Sequence, residues 1–158
     1  MNTGLIVAIS VLLTILAFIS FIDARQGIIP DKLLLFLLIP STYLAIQTGL
    51  SSGLTAFFLG GLLFLLMAIF SGGGVGGGDI KLVSVLGLAL GVPGLVVTLG
   101  ITFILGLTGS IAIKLLKRQS GLDSTIPLAP YITMGVVMTI CWGDKIINSI
   151  FKGGVLFY

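Results

Sequence analysis

Long apolar runs alternate along the chain with short segments that hold most of its charged residues. An apolar run of about 20 residues can cross the hydrocarbon core of a bilayer as a helix. The pattern predicts six spans, with Pro40 inside the second and a Gly-Val-Pro-Gly break at 91–94 that divides a stretch too long for one crossing. The predicted spans cover residues 4–22, 33–48, 54–70, 82–90, 95–113 and 130–142. The mixed tail, residues 143–158, is expected along the membrane interface.

Composition identifies these runs as membrane spans and not as buried helices of a soluble protein. Hydrophobic residues make up 57% of the 158 residues and charged residues 8%, whereas soluble domains have about 25% charged residues. We therefore expect an all-α, polytopic membrane protein with about six transmembrane helices, forming a single domain over residues 1–158. The net charge of +3 is spread too thinly for a nucleic-acid surface, which leaves the lipid bilayer as the expected partner.

The basic residues orient the predicted spans. With six spans, three alternate loops share one membrane face. These loops hold Arg25, Lys32, Lys81, Lys114, Lys117 and Arg118. The positive-inside rule places this face in the cytoplasm and predicts a multi-pass protein of the cell membrane. Four of the chain's five acids fall on the same face: Asp23, Asp31, Asp79 and Asp123.

The residue types that are missing narrow the possible chemistry. The chain has no His and no Glu, which excludes nucleophile pairs that use His and His-rich zinc sites. The lysine that a phosphate-binding P-loop requires does not follow the glycine run. Gly72, Gly74 and Gly77 match the dinucleotide-binding spacing, but they follow a predicted membrane helix instead of a strand. The single cysteine, Cys141, is interpreted as a small buried hydrophobe.

Two aspartates at predicted span ends are the candidate catalytic groups. Asp23 follows the first span and Asp79 precedes the fourth, so the topology brings both to one membrane face although they are far apart in sequence. One ionised and one protonated carboxyl group can together activate water for hydrolysis. Because a helix N-terminus favours an anion and a C-terminus disfavours one, we expect Asp79 to carry the charge and Asp23 the proton.

A glycine run precedes Asp79, in the stretch SGGGVGGGDIKL at residues 71–82. Glycine lets two backbones approach closely and permits positive φ, so the run can bring Asp79 toward Asp23. The alternative is a flexible linker that ends in a helix-capping aspartate.

Three segments resemble the prepilin peptidase family, the GxGD-type membrane aspartic proteases. DARQGIIPD at residues 23–31 is similar to the family's first catalytic Asp followed by Ile-Pro and a polar residue. GGGDIKL at 76–82 is similar to its G-x-G-D-x-K-L motif, and IPLAP at 126–130 to the I-P-F-G-P run before its last span. The resemblance implies an aspartic endopeptidase without a metal or cofactor. It would remove the basic leader from type IV prepilin-like or archaeal preflagellin-like proteins, next to their hydrophobic helix.

The resemblance also implies roles for particular residues. It makes Asp23 and Asp79 the catalytic pair. It gives a part in shaping the loops or the substrate site to Gly76, Gly78, Lys81, Pro127 and Pro130. The chain lacks the cysteine-containing insertion of long family members, so it resembles a short form without the associated methyl transfer. Asp31 stands where the family commonly has Asn, and we interpret it as a helix cap; Asp123 is a candidate contact for a basic leader.

Two alternative functions remain open. The first is a small transporter or channel subunit, because carboxylates and broken helices also build ion and proton sites. Such a protein would hold its acids near the bilayer midplane. The second is a protease that pairs Lys81 or Lys32 with Ser84, which lies one helical turn from Lys81.

Overall fold

The computed structural model describes residues 3–72, 74–117 and 127–151. These residues form five helices: α1 (Thr3–Gln26), α2 (Asp31–Thr48), α3 (Leu50–Phe70), α4 (Gly77–Lys117) and α5 (Ala129–Phe151). The prediction of an all-α fold is confirmed for this part of the chain. Arg118 and Asp123, which the sequence places in the last basic loop, lie outside the described residues.

The long helix α4 is interrupted at Gly91, inside the predicted Gly-Val-Pro-Gly break. Gly91 has a φ of 65° and a ψ of 178°, a backbone conformation with positive φ that a residue with a Cβ rarely adopts. Just after it, the N–H of Val92 donates to Oγ of Ser52 over 3.2 Å. The start of α3 therefore supplies a partner for a backbone group that the interruption removes from the helical ladder.

Helix α3 packs against both halves of α4. Before the break its close approaches are Gly53 to Leu88 and Gly60 to Val83, and after the break they are Gly60 to Leu95 and Phe64 to Phe103. The first half of α4 therefore runs antiparallel to α3 and the second half parallel to it, so the chain turns back on itself at the break. The described residues thus form six helical segments, matching the number that the sequence predicts.

The helices have the composition of membrane spans. Within the described residues, α1, α3 and α4 contain segments long and apolar enough to cross a bilayer. Large apolar side chains point outward as well as inward, which is expected where lipid and not water surrounds a helix. Exposed examples are Phe18, Phe36, Ile39, Phe58 and Phe70. The chain is a membrane protein of several apolar helices, and the count of six crossings stays a prediction.

Two details of the last helix differ from the predictions. Helix α5 continues to Phe151, beyond the predicted end at residue 142, because no proline interrupts the segment that follows. The predicted burial of Cys141 is wrong, since its side chain is exposed. The buried positions of α5 repeat at helical spacing through Ile132, Val136 and Thr139, and Cys141 lies off that face.

Packing gathers several helix ends at one end of the bundle. The start of α4 lies beside the loop between α1 and α2, since Gly78 approaches Ile29. The start of α5 lies beside the end of α1, since the N–H of Ala129 donates to Asp23 over 3.0 Å. We call this end, which holds Asp23, Asp31 and Asp79, the acidic end.

Candidate active site

A cavity of about 440 Å³ opens at the acidic end, and we call it the acidic cavity. Its lining comes from two segments that are far apart in sequence, the end of α1 with the loop after it and the start of α4 with the glycines before it. The lining residues that the sequence singled out are Asp23, Asp31, Gly76, Gly78 and Asp79. Both candidate aspartates thus face the same space. Within the described residues, no group of three His, Cys, Asp or Glu side chains is arranged to hold a metal ion.

Asp23 is held by the start of another helix. It lies in the last turn of α1, and only 5% of its surface is exposed. Its Oδ2 accepts a hydrogen bond of 3.0 Å from the N–H of Ala129, the first residue of α5. The first N–H groups of a helix have no partner within the helix and lie at its positive end. The start of α5 therefore supplies Asp23 with a hydrogen bond suited to a negatively charged oxygen.

The IPLAP segment explains why α5 begins at this point. Pro127 precedes the helix and Pro130 is its second residue. Proline fits the first turn of a helix, where its missing N–H breaks no intrahelical hydrogen bond. Pro130 therefore directly follows the residue whose N–H bonds Asp23, and Pro127 lies two residues before it.

Asp79 is the third residue of α4, so the expectation that it lies at a helix N-terminus is confirmed. Its backbone N–H donates to the carbonyl of Gly76 over 3.1 Å, which closes the first turn. Its side-chain Oδ1 is buried and has no hydrogen-bond partner among the described residues. A buried oxygen without a partner is costly, and more so when it carries charge.

The two glycines of the G-x-G-D motif have different roles. A Cβ on Gly76 would lie 3.2 Å from Oδ2 of Asp79, so this glycine leaves room for the carboxyl group. A Cβ on Gly78 would lie 2.8 Å from Cβ of Ile29, so this glycine lets α4 approach the loop after α1. A Cβ on Gly77 would meet nothing within 4 Å. A side chain at position 78 would therefore force Ile29 or the start of α4 to move, one at position 76 would crowd the Asp79 carboxyl group, and one at position 77 would meet no other protein atom within 4 Å.

Lys81 joins the two motif segments. Its Nζ lies 2.7 Å from Oδ1 of Asp31, and the two side chains are 58% and 68% exposed. The interpretation of Asp31 as a helix cap is wrong, because Pro30 occupies the cap position of α2 and no side chain bonds the free N–H groups there. An exposed ion pair of this kind contributes about 0–1 kcal/mol, so this contact adds little to the stability of the fold.

The structure also bears on the two alternative functions, a transporter or channel subunit and a Ser/Lys protease. Asp23 and Asp79 lie at helix ends, whereas an ion pathway would hold its acids near the middle of the spans. The hydroxyl of Ser84 donates to the carbonyl of Ile80 over 2.9 Å, while Lys81 pairs with Asp31. The amine and hydroxyl of a Ser/Lys protease are therefore engaged elsewhere.

Two residues important to this geometry escaped the sequence reasoning. Ala129 acts through its backbone N–H, which has no side-chain signature, and only its place in IPLAP pointed to it. Ile29 supplies the surface that Gly78 approaches. The sequence feature that could have indicated Ile29 was the Ile-Pro pair in the segment after Asp23.

Comparison with known proteins gives one family. The model of the type IV leader peptidase family matches residues 10–111, which contain both Asp23 and Asp79. The prepilin leader peptidase/N-methyltransferase of Bacillus subtilis (strain 168) is 35% identical over 153 residues, which are 90% of this chain and 58% of that protein. The protein of the same name from Pseudomonas aeruginosa is 30% identical over 82% of this chain and 47% of its own length.

The relative from Aeromonas salmonicida, also a prepilin leader peptidase/N-methyltransferase, is 27% identical over 84% of this chain and 48% of its own length. The chain thus spans about half the length of the curated relatives that it matches. No solved structure matches it. Because the family model covers more than half of its residues, this chain belongs to the type IV leader peptidase family.

Proposed function

We propose that this chain is an aspartic endopeptidase that removes the leader from type IV prepilin-like or archaeal preflagellin-like proteins. The observation that supports the proposal is that Asp23 and Asp79, from separate family motifs, line one cavity at one end of the bundle. The relatives are named prepilin leader peptidases, which gives the substrate class. The proposal is confined to leader removal.

The reaction needs one ionised and one protonated carboxyl group. Asp23 takes the ionised role, because the N–H of Ala129 at the start of α5 bonds its oxygen. Asp79 takes the protonated role, because its Oδ1 is buried without a partner. This distribution is the reverse of the one expected from the helix ends that bear the two residues. The dipole of α5, which the sequence does not show to lie beside Asp23, accounts for the reversal.

The steps follow from these roles. Asp23 removes a proton from a water molecule, whose oxygen attacks the carbon of the scissile peptide bond, while Asp79 gives its proton to the carbonyl oxygen. The tetrahedral intermediate then collapses. Asp23 returns its proton to the leaving nitrogen, the C–N bond breaks, and Asp79 recovers a proton from a hydroxyl of the intermediate. The leader leaves with a new carboxyl group and the mature protein with a new amino terminus.

The proposed location is the plasma or inner membrane, with the acidic end facing the cytoplasm. Arg25, Lys32 and Lys81 lie at this end, and the positive-inside rule places such bases on the cytoplasmic side. A hydrophilic, basic leader would then meet the acidic cavity in water, while the apolar helix of the substrate stays in the bilayer.

The test of the proposed function is cleavage by the full chain in detergent or nanodiscs. The substrate is a pilin-like protein with a basic leader, a glycine at the cut and an apolar helix. Mass spectrometry is expected to find a single cut between leader and helix. A matched substrate whose leader lysines and arginines are replaced by glutamine is expected to be cleaved more slowly. Failure to cleave the first substrate would refute the proposal.

Infrared spectroscopy tests the location of the proton. In the resting protein, the C=O band of a protonated carboxyl group is expected to disappear in Asp79→Asn and to remain in Asp23→Asn, because the buried oxygen without a partner belongs to Asp79. The spectra are compared at one mildly acidic pH in the same detergent. If the band persists in Asp79→Asn and is lost in Asp23→Asn, the proton lies on Asp23 and the proposed assignment is wrong.

A further inference from the structure

A second cavity of about 450 Å³ lies between α2, α3 and the first half of α4, and we call it the apolar groove. Most of its lining is apolar, from Leu34, Leu35 and Leu38 on α2, Phe57 on α3, and Ile80 and Val85 on α4. The hydroxyl of Ser84 is also in the lining, but it is satisfied by its own helix. The groove is therefore suited to apolar side chains and presents no unpaired side-chain group that calls for a polar ligand.

The apolar groove adjoins the acidic cavity. Asp31 lines both the apolar groove and the acidic cavity, and Lys81, which pairs with Asp31, lines the groove at the same end. Two other apolar cavities, one on α1 around Phe18 and one between α1 and α2 around Tyr43, share no residue with the acidic cavity. A substrate segment that runs from the two aspartates toward the bilayer therefore reaches the apolar groove before the other two apolar cavities.

The size of the groove sets how much of a substrate it can hold. Along α2 it extends from Asp31 to Leu38, which is two helical turns, or about 10 Å at 1.5 Å per residue. Its floor is buried, whereas Leu35 at its edge is 65% exposed. A helix that enters at Asp31 can therefore lie in the groove for two turns with one face covered.

We propose that the apolar groove binds the first two helical turns of the substrate's apolar segment, immediately after the cut. The proposal rests on the proposed function, since it assumes a substrate whose apolar helix follows the cleaved bond. The groove contributes to substrate binding by holding the start of this helix against α2 and α4, with the scissile bond at the acidic cavity. The recognised chemistry is a run of large aliphatic or aromatic side chains at helical spacing.

Photo-crosslinking tests the occupant of the groove. The probe p-benzoylphenylalanine replaces Leu35 in the full chain, on the Asp79→Asn background that keeps the substrate intact. Phe18 is the matched control position, because it is 61% exposed and lines the cavity on α1. The Leu35 probe is expected to link to the first two turns after the cut, several-fold more than the Phe18 probe does. Equal yields from both positions, or links to lipid alone, would overturn the proposal.

Kinetics separates this inference from the proposed function. Leu35→Trp narrows the groove in the otherwise native chain, and we expect KM to rise about fivefold with kcat little changed, as when binding common to substrate and transition state is lost. Phe18→Trp is expected to leave both constants unchanged. An unchanged KM in Leu35→Trp would refute the groove as a substrate site even though the native chain cleaves. Absence of cleavage by the native chain would instead refute the proposed function.

Discussion

Replacing Asp79 or Asp23 with asparagine is expected to lower the rate of leader removal about a thousandfold or more, the scale of general acid–base catalysis. Asparagine keeps the size of the side chain but can neither accept the water proton as a carboxylate nor donate an acidic proton. Asp23→Asn retains an oxygen that can accept the N–H of Ala129, so the fold is expected to survive. The measurement is the initial rate of cleavage of the pilin-like substrate by each purified variant.

Asp144→Asn is the matched control for these two variants. The same chemical change is made on α5, 15 residues after its first residue, and therefore roughly 22 Å along the helix from the start that bonds Asp23. Its cleavage rate is expected to equal that of the native chain. Thermal unfolding in detergent checks that all three variants are folded. A folded Asp23→Asn or Asp79→Asn protein that cleaves at the native rate would exclude that residue from catalysis.

Gly78→Ala is expected to disrupt the site, whereas Gly77→Ala is expected to be harmless. The new Cβ at position 78 would lie 2.8 Å from Cβ of Ile29, so α4 or the loop after α1 must move. Such overpacking typically costs about 1–3 kcal/mol, and a displacement of this kind at a catalytic site lowers the rate about a hundredfold. The Cβ at position 77 meets nothing within 4 Å.

The two alanine variants are compared by thermal unfolding and by cleavage rate. They place the same methyl group on adjacent residues of one helical turn, so general effects on the helix are common to both. Equal losses of thermal stability and cleavage rate in the two variants would show that the glycines act through chain flexibility and not through the approach of α4 to Ile29.

The positions of the two aspartates could be predicted because they depend on a simple property of the chain. Apolar runs fix the number of helical segments, and with six of them Asp23 and Asp79 fall on one side. The break before Pro93 could be predicted for the same reason, since glycine and proline act locally on the backbone. The helix ends were predicted less accurately, because a helix can continue beyond the end of an apolar run until its backbone hydrogen bonding is interrupted.

The contacts within the site could not be predicted from the sequence. The N–H of Ala129 reaches Asp23 only because α5 packs beside α1, and a backbone donor leaves no mark in the residue pattern. The pairing of Asp31 with Lys81 likewise depends on how α2 and α4 lie side by side. Local reasoning assigned Asp31 to a cap, whereas Lys81 on a neighbouring helix pairs with its carboxylate.

Cross-linking of cysteines at positions 23 and 79 tests the central claim most directly. The Asp23→Cys and Asp79→Cys changes are combined in a Cys141→Ser background, because Cys141 is the chain's single native cysteine. A short bifunctional thiol reagent is expected to join the two positions within one chain. The control pair is Asp23→Cys with Gln47→Cys, near the far end of the 18-residue α2, roughly 25 Å from its start, and it is expected to stay unlinked. If both thiols of the 23/79 pair react singly with the reagent yet are not joined, the two aspartates do not share a cavity and the account is contradicted.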